Sequence, residues 1–367
     1  TALEVTLVHG IGPLGALSFA GCGVGLSHRR NKILDAYDCA ELALKTDQRY
    51  SEMTRRKCFV HVVAWNFLLP IKRPVHEGYV ALQEAHEVGM KHGDSTDATL
   101  ALYAASVMGI LTFEPVISYR KKLESWCSTA EDLKQQGNLE MIGVWSQFAE
   151  TLAGEGHHSY VLSGSFFNIA NVTQTGEKSL MIQRLSFDGH VCQIILLVLF
   201  SEYEKAEVHR QQCIHVSHDG PTTFKTVCHN FMIALNCYVL AGKASSNNER
   251  RKYVRISKMY SQVVTDFAVG QSINAKALIK FLEAERSFVK KRVTTAVDLY
   301  VEAIDLLKEG KFKLLEALAW ERLGCVTMES DRKSAFENLR IALTKYREFG
   351  AAAKATDLQE RLQDNLF

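Results

Sequence analysis

TAVDLYVEAI (residues 295–304) and SAFENLRIAL (residues 334–343) carry one punctuation twice. Ala296, Tyr300 and Ala303 stand at an A-x3-Y-x2-A spacing, and Ala335, Leu339 and Ala342 repeat it 39 residues later. Side chains three and four apart share one helix face, and small ones there let a neighbouring helix approach closely. Both stretches lie between Ala275 and Leu362, where the apolar periodicity gives two amphipathic helical hairpins. A period near forty residues, built as helix–turn–helix, is the signature of a helical repeat array. No residue in it offers chemistry by itself, so the pattern speaks to architecture first.

The same spacing recurs upstream as Ala36, Ala40 and Ala43, and 42 residues after Ala36 as Gly78, Leu82 and Ala85. The expected fold is therefore all-α, a tetratricopeptide-like helical-hairpin solenoid wound as a right-handed superhelix of roughly seven to nine hairpins. Five spans are expected: helical repeats over 1–153, an irregular loop or insertion over 154–177, middle repeats over 178–242, a polar connector over 243–250, and C-terminal repeats over 251–367. The insertion is read from Gly, Ser, Thr and Asn interleaved with Phe166 and Phe167, and the connector from Ser245-Ser-Asn-Asn-Glu249. Helices are expected over 53–67, stopped by Pro70 and Pro74, and over 75–91, 222–240, 251–269 and 276–292.

A chain of 367 residues could hold two or three globular domains, or one array whose length no single core limits. Hydrophobic content of 47%, charged content of 23% and five prolines fit a folded, helical chain. Lys and Arg number 43 against 41 Asp and Glu, which gives no electrostatic reason to expect nucleic acid or an anionic membrane as partner. Nine cysteines without a C-x-x-C pair, most within apolar runs, read as reduced buried thiols of a cytoplasmic protein. The chain opens on Thr1 rather than methionine, as a fragment or processed piece would. Val5 to Leu26 is apolar enough to raise a membrane span, but its six glycines and Pro13 favour a buried helical hairpin broken near Gly10–Gly15. Val191 to Phe200 is too short to span and reads as a core helix.

The C-terminal motifs resemble one family. Glu283-Ala-Glu-Arg286, Ala296-x3-Tyr300-x2-Ala303, Glu316-Ala-Leu-Ala-x-Glu321 and Tyr346-Arg-x-Phe-Gly-Ala-x-Ala-Lys354-x3-Leu358-x-Glu-Arg361 are similar to the tetratricopeptide-like region of large, multi-module signalling proteins. Gly89-x3-Gly93-Asp94, Tyr103-Ala-Ala105 and Glu202-Tyr203-Glu-Lys-Ala206 match in the same order; Phe349 stands where the family often has tryptophan. In such proteins a serine/threonine-kinase-like domain and a STAND-class ATPase precede the helical region, and a GAF domain and sensor histidine kinase follow it. The resemblance implies a non-catalytic scaffold or sensor arm of a two-component type system. Its concave face would take a protein partner or small effector, and the change would pass to kinase and ATPase modules of the same polypeptide. The alternative is a free-standing adaptor of the same repeat type with no attached enzyme.

No catalytic, cofactor-binding or metal residue is assigned. Gly10-Ile-Gly-Pro-Leu-Gly15 is a literal G-x-G-x-x-G with Asp35 and Asp38 downstream, the spacing of a dinucleotide site. Pro13 intrudes in its turn and no βαβ rhythm follows, so a glycine-rich helix joint is expected, with an N-terminal enzyme domain the weaker reading. No G-x-x-x-x-G-K-[ST] is present to cradle phosphate, and no H-R-D or D-F-G kinase signature. His86-Glu87 lacks the neighbours of a phosphoacceptor and reads as a surface histidine. Cys213, His215, His218, Cys228 and His229 cluster in sequence but do not form the two close pairs zinc prefers; His157-His158 has no partner ligands. Arg250, Arg251, Lys252, Arg255 and Lys258 could touch phosphate and are read instead as a solvated face beside the connector.

Overall fold

Each alanine-punctuated stretch is a helix, and each punctuation residue faces inward. Ala36, Ala40, Ala43, Leu82, Ala85, Ala296, Tyr300, Ala303, Ala335, Leu339 and Ala342 are all buried, as is Gly78. The computed structural model describes residues 4, 8, 10–12, 14–50, 56–111, 114–154, 160–173, 180–213 and 223–364. Among them the chain is all-α, with one isolated antiparallel bridge, Ser163 to Asn168, and no strand. The helices are α1 (Gly15–Ser27), α2 (Ile33–Arg49), α3 (Lys57–Val63), α4 (Val75–Lys91), α5 (Ser95–Leu111), α6 (Val116–Asp132), α7 (Gln136–Ala153) and the short α8 (Ile169–Thr173). They continue as α9 (Leu180–Leu199), α10 (Tyr203–Cys213), α11 (Phe224–Lys243), α12 (Asn247–Phe267), α13 (Ile273–Val289), α14 (Val293–Glu309), α15 (Lys313–Thr327), α16 (Arg332–Phe349) and α17 (Ala352–Gln363).

Neighbouring helices pack as hairpins, α1 on α2, α4 on α5, α6 on α7, α11 on α12, α13 on α14 and α15 on α16. One member of each later hairpin is amphipathic and keeps a solvated face; the other is buried almost all round. On α7 every residue from Met141 to Ala149 is buried, and on α11 every residue from Val227 to Ala241. A helix apolar on all sides must sit inside, and these form an inner layer under the amphipathic outer one. Outer and inner helices alternate along the chain until α7 and α9, two inner helices in succession that pack directly on each other. Between them, where the alternation calls for an outer helix, the described residues 160–173 hold turns and the short α8; the rest of the insertion expected over 154–177, except Gly154, lies outside the described residues. Gly154 ends α7 in the left-handed conformation, at φ 86°, and Gln193 anchors the segment by donating to Tyr160 O (2.6 Å) and accepting from Leu162 N (2.7 Å).

In a simple repeat array each unit touches only its neighbours. Here distant turns also meet. Asn274, fully buried at the start of α13, donates to the carbonyls of Pro70 (2.9 Å) and Arg73 (2.8 Å) and accepts from Val75 N (3.1 Å). Gly270 lies so close to this loop that a Cβ there would sit 2.0 Å from the Ile71 carbonyl oxygen. The C-terminal α17 lies against α7, and Arg361 on it donates to Ser201 Oγ at 3.1 Å.

Several local expectations change. Pro70 does not stop its helix: α3 widens into a π-turn over Ala64–Leu68 and tightens into a 3-10 turn over Leu69–Ile71. A proline ring clashes with the carbonyl four residues back in an α-helix, and the changed pitch relieves that clash. The connector shrinks to residues 244–246, because Ser246 Oγ accepts from Glu249 N (3.2 Å) and caps α12 within the polar run. Within Val5–Leu26, α1 is too short to cross a bilayer and buries Ala16, Phe19 and Ala20. The apolar run at 191–200 belongs to a longer helix. Its Met181–Leu199 portion is the one helix among the described residues long and apolar enough to cross a membrane, and 67% of it is buried in the fold.

Candidate functional site

The centre of the inner layer holds a charged cluster built from four helices. Asp188 on α9 is fully buried, and its Oδ2 accepts from Tyr103 Oη on α5 (2.7 Å) and Trp145 Nε1 on α7 (3.2 Å). Lys225 on α11 donates to Asp188 Oδ1 and to Tyr103 Oη (2.7 Å), with the Tyr103 and Phe187 rings each 5.4 Å from its nitrogen. Burial, and then Asp188, pushes the Tyr103 hydroxyl well above its ordinary pKa. A buried carboxylate is tolerated only when donors surround it. Here both oxygens are taken, so the cluster joins helices rather than presenting a free acid or base.

Two similar clusters stand on the motifs near the C-terminus. Glu285 on α13 accepts from Tyr300 on α14 and from Arg322 on α15, whose Nε and Nη2 lie 2.6 and 3.1 Å from its two oxygens. Glu321 on α15 accepts from Tyr346 on α16 (2.9 Å) and from Lys354 (2.9 Å) and Arg361 (3.1 Å) on α17. In each, an inner helix supplies the carboxylate, its hairpin partner the tyrosine and a following helix the cation. Burial alone would raise the Glu321 carboxyl; Lys354 and Arg361 outweigh it and hold the group below its usual range. Burial would lower Arg322, and Glu285 holds it well above its ordinary value instead. Sequence reading quoted six of the seven residues, all but Arg322, which adjoins the motif ending at Glu321, and saw only helix spacing. The signal that could have found the clusters is the charge itself, since Glu285, Glu321 and Lys354 sit on positions that periodicity assigns to the core.

The remaining candidates fall apart in space or lie outside the described residues, as His157, His158, His215 and His218 do. Gly15 opens α1, as a glycine-rich helix joint would; residues 5–7, 9 and 13, on which the strand and turn of a dinucleotide site would fall, lie outside the described residues. Cys213 is buried at the end of α10 and Cys228 on α11; no group of three or more His, Cys, Asp or Glu among the described residues could hold a metal. His229 is buried edge-on to Phe187, at 5.1 Å between centroids, with neither ring nitrogen partnered. Burial, then His190 and Lys225, pushes it down to about 3. His190 faces His209 with their Nδ1 atoms 3.1 Å apart, and burial, then His209, pushes it down to about 4. His86 is half-buried rather than on the surface, with Nδ1 3.0 Å from Ala98 O.

The basic run forms the outer face of α12. Asn247, Arg250, Arg251, Val254, Arg255 and Lys258 line a groove of about 430 Å³, and Arg250 Nη2 donates to the carbonyl of Val289 at the end of α13. No protein-family model matches this chain, and no curated protein matches it.

Proposed function

We propose that this chain is a non-catalytic, tetratricopeptide-like helical-repeat arm of a larger cytoplasmic signalling protein of the ATPase–histidine kinase type. It binds a protein partner or small effector and relays the event to output modules of the same polypeptide. The observation that carries the reading is what the resemblance motifs do: Glu285, Tyr300, Glu321, Tyr346, Lys354 and Arg361 spend their polar atoms on one another and on the adjoining Arg322, hairpin to hairpin. Such residues set the stacking of an array and leave specificity to exposed side chains. The inner helices, which would line a concave face, bury nearly all their side chains. The partner surface is therefore assigned to the outer helices.

The test is the mass of the native polypeptide, by immunoblot of source extract with an antibody against residues 275–362, together with peptide mass spectrometry of the captured band. A band far above 41.2 kDa carrying kinase peptides supports the arm. A band near 41.2 kDa overturns it in favour of a free-standing adaptor, and phosphotransfer or nucleotide hydrolysis by the isolated chain would overturn both.

A further inference from the structure

We infer that the groove on α12 is a binding site for a compact, multiply phosphorylated small anion, in the manner of an inositol polyphosphate or a short polyphosphate. The groove faces solvent on the outer layer and is lined by four cations, one asparagine and one valine, with no carboxylate and no aromatic ring. A second set of cations borders it at the α13–α14 turn: Lys290 is exposed, and its pKa is pulled down first by Arg286, then by slight desolvation, Arg292 and Lys258. The hydrogen bond from Arg250 to the Val289 carbonyl sets the α12 stripe beside that turn. Among the described residues none of Arg251, Arg255, Lys258, Arg286, Lys290 and Arg292 has a carboxylate within ion-pair distance, whereas nearby Lys280 has two. The two carboxylates of α12, Glu249 and Asp266, do not line the groove. Uncompensated like charges raise the free energy of the empty surface, and a polyanion removes that repulsion.

Size and composition select the ligand. A volume of about 430 Å³ lies within the range of small-molecule pockets, about 300–1,000 Å³. Arg251, Arg255 and Lys258 run along one helix face for about 10 Å, more than a single phosphate spans. Guanidinium groups clamp phosphate oxygens two at a time, and two of these three cations are arginines. The lack of a ring to stack a base argues against single-stranded nucleic acid, which uses aromatic platforms along an extended basic track. Arg250 is already held on the Val289 carbonyl, so one wall is fixed before the ligand arrives.

This assignment does not depend on the signalling-arm reading, because binding is read directly on the 367-residue chain. The experiment is calorimetric titration of inositol hexakisphosphate and, separately, sodium tripolyphosphate at about 150 mM salt, where exposed charges more than about 8 Å apart are screened. Three proteins are compared: wild type, the triple variant R251Q/R255Q/K258Q, and a control that removes three exposed cations elsewhere, K121Q/K333Q/R340Q. Expected are saturable one-site binding to wild type, at least about a tenfold loss in the groove variant, and less than about a twofold change in the control. Circular dichroism confirms that the variants fold. Absence of saturable binding, or an equal loss in the control, overturns the site. A vesicle arm with phosphatidylinositol bisphosphate separates the sources: capture by vesicles without binding of the soluble anions overturns the soluble ligand in favour of a lipid headgroup.

Discussion

Acid should unfold this protein partly through one imidazole, and replacing His229 with phenylalanine isolates it. His229 sits inside α11 with about 1% of its surface exposed, against Phe187, with His190 and Lys225 as the charged or titratable neighbours that oppose its protonation. Its folded pKa of about 3 lies below the ordinary histidine value of about 6.5. The unfolded chain therefore binds the proton first, and stability that is complete above about pH 6.5 drains away as pH falls toward about 3. At pH 5 the unfolded state has gained about 1.5 pH units of protonation free energy, which at about 1.4 kcal/mol per unit is about 2 kcal/mol. A small domain has about 5–15 kcal/mol in all, so this is a large share. In His229→Phe the term is absent. At pH 7.5 the variant gains by removing unpartnered ring nitrogens and loses by the extra bulk of a phenyl ring, effects of similar size. That offset is common to every pH. Urea unfolding followed by circular dichroism at pH 7.5, 6 and 5 should show the variant pulling ahead of wild type by about 2 kcal/mol between the extremes. A gap that stays constant would refute the reasoning, since it would mean that His229 titrates alike in both states.

Three further outcomes follow from named contacts. Glu285→Gln leaves Arg322 buried without its counterion and should cost about 3–5 kcal/mol, while adding Arg322→Met should restore most of it; additive losses in the denaturation midpoints would contradict the coupling. Asn274→Ala strands two carbonyls and one backbone N–H, and should cost about 2–3 kcal/mol and raise hydrogen exchange in both 69–75 and 268–274; exchange confined to one side would mean that the turns do not support each other. Glu321, held below its usual range, contributes stability above its ordinary value of 4.5 that fades as pH falls through the folded pKa. Glu321→Gln should therefore flatten the acid limb of the stability profile below pH 5, and an unchanged limb would place the acid sensitivity elsewhere.

Local periodicity was legible in the sequence and long-range docking was not. Ala36, Ala40 and Ala43 mark a buried face because helix geometry alone brings such positions together, and all three are fully buried. The inner helices were legible as uniform apolar runs. Asn274 carried no signal, since its partners lie about two hundred residues upstream and nothing near it in sequence distinguishes a bridging asparagine from a capping one. Glu285 was visible as a charge inside a quoted motif, yet whether it is solvated or buried depends on Arg322, which arrives 37 residues later just outside the motif ending at Glu321. Residues 247–250 read as a connector because polar runs usually are; that Ser246 starts a helix there depends on a cap too short to show as periodicity. On α12 the charge was legible, whereas the hydrogen bond from Arg250 to the Val289 carbonyl was not, because it joins residues 39 apart.

The distant contacts change what an effector would have to do. An open repeat array flexes by small rotations that sum along its length. Here the turn after α12 is fastened to the loop before α4 by the three hydrogen bonds of Asn274 and the close approach of Gly270 to Ile71. Breaking such a set exposes partners that water can satisfy, so the net barrier is about 2–3 kcal/mol, and motion is expected to switch between fastened and released forms rather than vary smoothly. A ligand can shift that equilibrium only by its difference in affinity for the two forms. The groove is well placed for such a difference, because α12 runs from the groove directly into the Ala268–Gly270 turn, and Arg250 ties it to the end of α13. Asn274→Ala removes the fastening without touching a groove residue. If binding favours the released form, the variant should bind inositol hexakisphosphate at least about tenfold more tightly than wild type; if it favours the fastened form, already nearly fully populated, the variant should bind about twofold more weakly. Equal affinity in the two proteins would disconnect the groove from the fastening and leave α12 a binding surface with no route to the rest of the fold.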